Sequence, residues 1–185
     1  VAPHLDTKQG AWSGVLWGTE NQVHWECGIR TSAAIDNQWI WAGLKLTNVV
    51  ELATDANSAF FSFGTDADNA GQAFTDFTKL HFCHSVADTD YISVLPITVA
   101  ASTNYHLKIV FDSDRKMSIF VDGEQYNITS TSGSTGGTAV TKGTGKSGAM
   151  TDNIDLIPYI GIENCDAAAA VLNVQYEAIS RLIFE

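Results

Sequence analysis

The stretch YHLKIVFDSDRKMSIFVDGEQYN, residues 105–127, decides the fold class of this chain. Apolar residues recur at every second position in two runs, namely Tyr105, Leu107, Ile109 and Phe111, then Met117, Ile119 and Val121. A period of two puts alternate side chains on one face, so both runs predict half-buried β-strands. The polar residues 112–115 between them predict a turn, because Asp and Ser side chains bond back to the backbone. Asp122 and Gly123 predict a tight type I′ hairpin into a third strand, since that turn needs positive φ angles.

The same alternation extends outward from this meander. Further strands are predicted at 23–29, 37–47, 58–64, 77–86, 89–95, 154–162 and 171–184. In the last of them Leu172, Val174, Tyr176 and Ala178 are in phase and are predicted to share one face. Residues 37–47 are apolar on both faces, which is typical of a central strand. Pro96 is expected to end its strand, and Pro158 predicts an edge or a bulge. Roughly ten strands without an amphipathic helix predict an all-β fold, a two-sheet antiparallel β-sandwich.

The domain organisation follows from length and composition. A chain of 185 residues is long enough for one well-buried domain. Residues 1–10 carry no pattern and are predicted to form an N-terminal arm, with a single β-sandwich domain over 11–185. Within it, residues 131–150 are rich in Gly, Ser and Thr, which predicts a flexible loop or an extended arm.

Charge and cysteine content exclude several classes of protein. The formal net charge is −11, which argues against nucleic acid and anionic membrane surfaces as partners. No apolar run is long enough to span a bilayer. The three cysteines, Cys27, Cys83 and Cys165, are odd in number and far apart, so we expect buried thiols and not a disulfide framework.

One acidic loop is a candidate for calcium. Asp66, Asp68 and Asn69 begin like an EF-hand loop, but Ala70 and Phe77 occupy positions where ligands belong. The loop is therefore no EF-hand. Either a looser Ca²⁺ site or a turn held by Asx side chains remains.

Two other motifs have a plain structural alternative. His81, Cys83 and His84 offer metal-binding atoms, yet a strand directs His84 away from the other two, which favours packing. The segment GTGKS at 143–147 resembles the end of a phosphate-binding loop. Val140 stands where that motif needs a Gly, so a solvated loop is the expected structure.

No set of residues is arranged for catalysis. The E-x-D-x-x-E strand of laminarinase-type sandwiches is missing, and no Ser lies in a nucleophile elbow. We therefore predict a non-enzymatic protein without a cofactor. The five tryptophans predict either core or subunit interface when buried, or sugar stacking when exposed. They are Trp12, Trp17, Trp25, Trp39 and Trp41.

Four segments together resemble laminin-G-like and concanavalin A-like jelly rolls, and the first two of them resemble a strand pair of tailed-phage structural proteins. They are Trp25–Arg30, Trp41–Asn48, the Ser118–Gly123 hairpin and Pro158–Glu163. The resemblance covers Val23 to Arg181. It implies a jelly-roll fold and a bacteriophage virion structural protein, in particular a capsid decoration protein that binds and stabilises the head surface.

Partners and location follow from that resemblance. It implies contact with the major capsid protein or another virion protein, a place on the capsid surface and assembly as a homo-oligomer. The arm at 1–10 and the loop at 131–150 are the expected contacts. The alternative is a lectin-like carbohydrate-binding module for host attachment, with Asp66–Gly71 and Ca²⁺ near the glycan.

Overall fold

The computed structural model describes residues 4–6, 17–47, 55–64, 74–164 and 171–182. Twelve strands lie in this part of the chain: β1 (His4–Asp6), β2 (His24–Arg30), β3 (Gln38–Lys45), β4 (Asn57–Gly64), β5 (Lys79–Val86), β6 (Thr89–Thr98), β7 (Asn104–Phe111), β8 (Met117–Val121), β9 (Glu124–Tyr126), β10 (Thr138–Ala139), β11 (Ile157–Asn164) and β12 (Asn173–Ser180). The helical content of these residues is one 3-10 turn, Thr19–Asn21, and none of them forms a helix that could cross a membrane.

The strands form two sheets. The seven-stranded sheet has the order β1-β11-β3-β4-β5-β6-β10, and the five-stranded sheet has the order β12-β2-β7-β8-β9. Neighbouring strands are antiparallel except β10, which runs parallel to β6. The prediction of an all-β, two-sheet sandwich is confirmed.

The main core consists of inward side chains from both sheets. Trp25 and Ile109 of the five-stranded sheet and Leu44 and Phe82 of the seven-stranded sheet are fully enclosed in one apolar cluster. The described tryptophans, Trp17, Trp25, Trp39 and Trp41, are all buried, whereas Trp12 lies outside the described residues. Burial rules out these four as a sugar-stacking surface and leaves core packing.

A second apolar layer lies on the other face of the seven-stranded sheet. It contains Trp39, Trp41, Phe60, Phe74, Cys83, Ile92 and Tyr159. Every residue of β3 is buried, as the prediction of a central strand requires. Even Lys45 is enclosed on this side, 3.4 Å from the Asp55 carboxylate, because a charge survives burial only when it is paired.

The predicted meander is confirmed in β7, β8 and β9. Asp122 and Gly123 have φ angles of 51° and 82° at the β8–β9 turn, which matches the expected type I′ hairpin. In the β7–β8 turn, Asp112 Oδ1 accepts bonds from the backbone N–H groups of Asp114 and Lys116. The Asp side chain thus holds this turn as the sequence predicted.

Two prolines behave differently from their predictions. Pro96 does not end its strand, because β6 continues to Thr98. Lys79 pairs with Thr98 and His81 pairs with Val94, so residues 95–97 of β6 lie opposite one residue of β5. Pro96 is the middle residue of this bulge, where a ladder N–H is dispensable. Pro158 lies in β11, which is flanked by β1 and β3. In the described residues β1 pairs with residues 159–161 of β11, so Pro158 lies next to this paired stretch and not in it.

The two predicted arms are bonded to the sheets where the structure describes them. In the N-terminal segment, His4–Asp6 pairs with β11. The 131–150 segment runs back along the sheets and does not extend away. Gly143 donates to the Gln125 carbonyl oxygen, Gly145 to Asn127 Oδ1, and Met150 to the Arg115 carbonyl oxygen. The flexibility of this segment stays a prediction, but its backbone is held by these bonds.

Candidate functional site

The five-stranded sheet turns one face away from the core. We call it the outer face, and it comprises Glu26, Gly28, Arg30, Asn104, His106, Lys108, Gln175 and Tyr176. Gly28 of β2 pairs with Tyr176 of β12 on one side and with His106 of β7 on the other. These three residues therefore form one row across adjacent strands, about 4.8 Å apart per strand.

A β-bulge in β12 brings two consecutive side chains onto the outer face. The register against β2 shifts between Val174, which packs on the core, and Tyr176. Gln175 and Tyr176 both lie over Gly28, since a Cβ added there would be 3.2 Å from Gln175 Oε1 and 2.6 Å from Tyr176 Cε1. A bulge re-aims side chains in this way, and a glycine leaves the space that they occupy.

Tyr176 supplies an exposed aromatic surface. Its relative exposure is 41%, and the His106 ring lies beside it with centroids 5.8 Å apart. Partial burial, then the charge of Glu26 and the neighbouring Cys27, raise the pKa of the Tyr176 phenol. The hydroxyl therefore stays protonated at neutral pH and can both donate and accept a hydrogen bond.

Polar groups surround this ring. Gln175 Nε2 donates to Asn104 Oδ1 at 3.1 Å, which links β12 to β7 across the intervening β2. Glu26 Oε2 lies 3.7 Å from both Lys108 Nζ and His106 Nε2. These amide, carboxylate and cationic groups give the outer face donors and acceptors in fixed positions.

A groove continues the outer face toward the end of β12. Its open volume is about 200 Å³. The lining residues are His24, Glu26, Lys108, Ala178, Ile179 and Ser180. The groove shares Glu26 and Lys108 with the polar surround of Tyr176, so ring and groove form one continuous surface.

The residues beneath the outer face are inert. Trp25 Nε1 donates to Glu177 Oε1 at 2.9 Å, and burial raises the pKa of this carboxyl. Burial, followed by the charges of Glu177 and Glu26, raises the pKa of the Cys27 thiol well above its usual value. Cys27 is therefore a protonated core residue and neither a nucleophile nor a thiolate ligand.

The calcium candidates cannot be placed on this surface. Asp66, Asp68 and Asn69 lie outside the described residues. Among the residues that the structure does describe, no three His, Cys, Asp or Glu side chains come together as a metal site. The proposed Ca²⁺ therefore stays a prediction.

The His81–His84 segment is packed on both sides of its sheet. His81 stacks on Phe74 with centroids 3.8 Å apart, and His84 stacks on Tyr91 on the opposite side at 4.6 Å. Burial lowers the pKa of His81 to about 4 and that of His84 to about 3. Both rings are therefore neutral at physiological pH.

The GTGKS segment at 143–147 uses three of its backbone N–H groups for hydrogen bonds within the protein. Gly143 N donates to the Gln125 carbonyl oxygen, Gly145 N to Asn127 Oδ1, and Ser147 N to the Met117 carbonyl oxygen. Lys146 Nζ bonds Asp112 Oδ2 at 2.7 Å. With these N–H groups bonded within the protein, the segment forms no phosphate cradle.

Sequence reasoning missed the outer face because it carried one phase through the whole last strand. That phase put Tyr176 on the same side as Leu172 and Val174, whereas the side chain that packs on the core further along is Ile179. The apolar positions change from even to odd between residues 174 and 179. This change of phase is the sequence signal of the bulge.

The chain has likenesses among solved structures. No protein-family model matches it, and neither does any curated protein. A toad ovary galectin in complex with thio-digalactose matches with a TM-score of 0.50 at 10% identity, over 97% of this chain and 98% of that one. A double-cysteine variant of an alginate lyase matches with a TM-score of 0.54 at 11% identity, over 97% and 78%. A Caenorhabditis elegans galectin matches with a TM-score of 0.49 at 12% identity, over 98% and 91%.

At these identities the first two likenesses show the fold alone. The chain is a β-sandwich of the galectin and concanavalin A-like kind, as the resemblance to concanavalin A-like jelly rolls implied. The comparisons lend no support to a phage origin or a capsid role. The neighbours include both lectins and a lyase, so they do not decide between binding and catalysis.

Proposed function

We propose that this chain is a non-enzymatic carbohydrate-binding module that holds a glycan against its outer face. The observation that carries the proposal is Tyr176, an exposed ring seated over Gly28 among fixed polar groups. An aromatic ring packs against the C–H face of a sugar, while hydroxyls require donors and acceptors around it. Sandwiches of this kind serve many functions, so the fold supports the proposal only as analogy.

The surrounding groups suit hydroxyl recognition. Asn104 and Gln175 are already bonded to each other, which reduces the entropy that their ordering would cost on binding. Glu26 offers carboxylate oxygens for hydroxyl donors, and the groove beside it has room for a neighbouring sugar unit. The outer face therefore provides both halves of a sugar site, the apolar platform and the polar rim.

Capsid decoration is not the function that the described geometry supports best. Its expected contacts, residues 1–10 and 131–150, are bonded within this chain wherever they are described. A place on a virion, capsid partners and a homo-oligomer stay predictions.

Glycan arrays followed by titration calorimetry test the proposal. We expect wild type to bind a subset of glycans, and Tyr176→Ala to weaken that binding at least about tenfold. Leu182→Ala is the matched control, because it truncates another exposed apolar side chain of similar exposure, 50%, beyond the end of β12 and six residues from Tyr176. Circular dichroism checks that both variants fold.

Two results would count against the proposal. Equal loss of affinity in Tyr176→Ala and Leu182→Ala would place the site elsewhere, and absence of binding across the array would remove the function. Chain length of the bound glycan, followed by mass spectrometry during incubation, tests the non-enzymatic part. Shortening of the glycan would make the protein an enzyme.

A further inference from the structure

Arg30, a cation on the outer face, differs from most of the other described cations because it has no carboxylate partner among the described residues. Arg30 is the last residue of β2, is exposed, and pairs in register with Asn104 of β7 and Asn173 of β12. It lies two residues from Gly28 and so points to the same face as the Tyr176 row. Two residues along a strand span about 7 Å, within reach of a sugar seated on Tyr176.

Arg30 carries an uncompensated charge. Within the described part of the chain its side chain forms no ion pair and no hydrogen bond. Five of the other eight cations in that part are paired with carboxylates: Lys45 with Asp55, Lys108 with Glu26, Arg115 with Asp152, Lys142 with Glu124 and Lys146 with Asp112. In a chain of net charge −11, an unpaired guanidinium beside an aromatic platform is a local exception.

Among the described residues, the neighbours of Arg30 add neutral donors, and no carboxylate is paired with it. Asn104 accepts a bond from Gln175 at Oδ1, which leaves its Nδ2 group as a donor next to Arg30. Glu26, the carboxylate of this face on β2, lies four residues away and faces Lys108 and His106. An anionic group near Arg30 would therefore meet a cation and an amide donor together.

We infer that the glycan bound by the outer face is acidic, with a carboxylate or sulfate group held by Arg30 while a sugar ring packs on Tyr176. This inference rests on the proposed function and deepens it by naming the ligand class. Guanidinium groups bind planar and tetrahedral oxyanions through paired N–H donors, which is stronger than a neutral hydrogen bond. The polar rim then recognises hydroxyls, and Arg30 provides the preference for the acid.

Matched glycans test the acidic-ligand inference separately from the proposed carbohydrate binding. The array carries each backbone in neutral, carboxylated and sulfated form, for example cellohexaose, the β-1,4-glucuronan hexamer and sulfated cellohexaose. We expect an acidic form to bind at least about tenfold more tightly than its neutral partner, as one charge-assisted bond predicts. The carboxylated and sulfated arms identify which anion is preferred.

Variants that each remove one positive charge show which residue causes the preference for acidic glycans. Arg30→Gln should lower affinity for the acidic glycan about tenfold and affinity for its neutral partner by a much smaller factor. Lys116→Gln is the matched control, because Lys116 is also exposed and without a side-chain partner in the described chain but follows the far end of β7. Arg30→Lys should recover part of the loss, since it restores charge without the paired donors.

Each outcome has a distinct meaning. Neutral and acidic glycans bound equally, with Arg30→Gln without effect, would overturn the acidic ligand and leave the carbohydrate module standing. Loss of acidic preference in Lys116→Gln as well as in Arg30→Gln would show a general charge effect and would also overturn it. Binding to no glycan in any form would overturn both the inference and the proposed function.

Discussion

Tyr176 lies across Gly28 of the neighbouring strand so closely that a Cβ on Gly28 would stand 2.6 Å from Tyr176 Cε1. The contact depends on two features that are far apart in the chain, namely a glycine in β2 and a bulge in β12. Neither explains the exposed ring alone. The glycine provides the space, and the bulge directs the side chain into it.

Gly28→Ala tests this contact. The added methyl group should displace the Tyr176 ring, which we expect to cost about 1–3 kcal/mol of unfolding free energy and to weaken glycan binding. In a Tyr176→Ala background the same substitution should cost clearly less, because the clash has been removed. Urea unfolding of the four proteins gives this coupling, and an equal cost in both backgrounds would refute the contact.

The Lys45–Asp55 pair provides a test of the second apolar layer. Both side chains are fully buried, and Thr47 Oγ1 also donates to Asp55 Oδ1 at 2.6 Å. Asp55→Asn leaves a buried ammonium without its counter-charge, so we expect a loss of about 3 kcal/mol in urea unfolding. Glu124→Gln is the control, because it breaks the exposed pair with Lys142 and should change stability little.

His81 should make the protein sensitive to acid. Its pKa falls from an ordinary value near 6.5 to about 4 because the ring is buried. The unfolded chain therefore takes up a proton before the folded chain does. The stability that neutral His81 contributes is complete above pH 6.5 and is lost as pH falls toward 4.

His81→Phe checks this linkage. Phe keeps the stack on Phe74 and cannot be protonated, so the variant should gain stability relative to wild type as pH falls, reaching about 3 kcal/mol near pH 4. Urea midpoints of both proteins between pH 7.5 and 4 measure the difference. A constant difference over that range would contradict the assignment to His81.

Glu177 should make stability depend on pH in the opposite direction from His81. Burial raises the pKa of its carboxyl, so the folded state favours the protonated form and loses stability as pH rises through the unfolded and then the folded pKa. Glu177→Gln keeps an acceptor for Trp25 Nε1 and removes the charge. We expect it to be more stable than wild type at neutral pH and equal to wild type in acid, as followed by urea unfolding.

If Glu177→Gln were still more stable than wild type in acid, the gain in stability would be a packing effect and not a charge effect. Tyr176→Ala serves as a control here, because it changes the adjacent exposed position without altering the buried carboxyl. The pH dependence of that variant should resemble wild type.

Much of the fold was predictable because its signals are local. The alternation in residues 105–121, the Asp122–Gly123 turn and the doubly apolar 37–47 segment each depend on neighbours a few positions away. The same holds for the opposed directions of His81 and His84. In each case the chain's own periodicity determines which side a residue faces.

The candidate site was less predictable because it depends on pairings between distant segments. The bulge between Val174 and Tyr176 reverses which side chains point outward, so a continuous phase wrongly put Tyr176 on the same face as Val174. The prolines show the same limit. Pro96 remains in a strand because it lies in a bulge of β6, and the pairing of β6 with β5 defines that bulge.

By itself, the sequence determined an all-β sandwich, a tight meander and a strongly acidic chain, because periodicity, turn chemistry and charge count depend on residue types and near neighbours. Only the tertiary structure decided that Gly28, Arg30, His106 and Tyr176 share one face. Those residues come from three strands separated by more than 60 positions in the chain at each step. Their proximity arises from strand register, which is set by how the two sheets bury their apolar faces against each other.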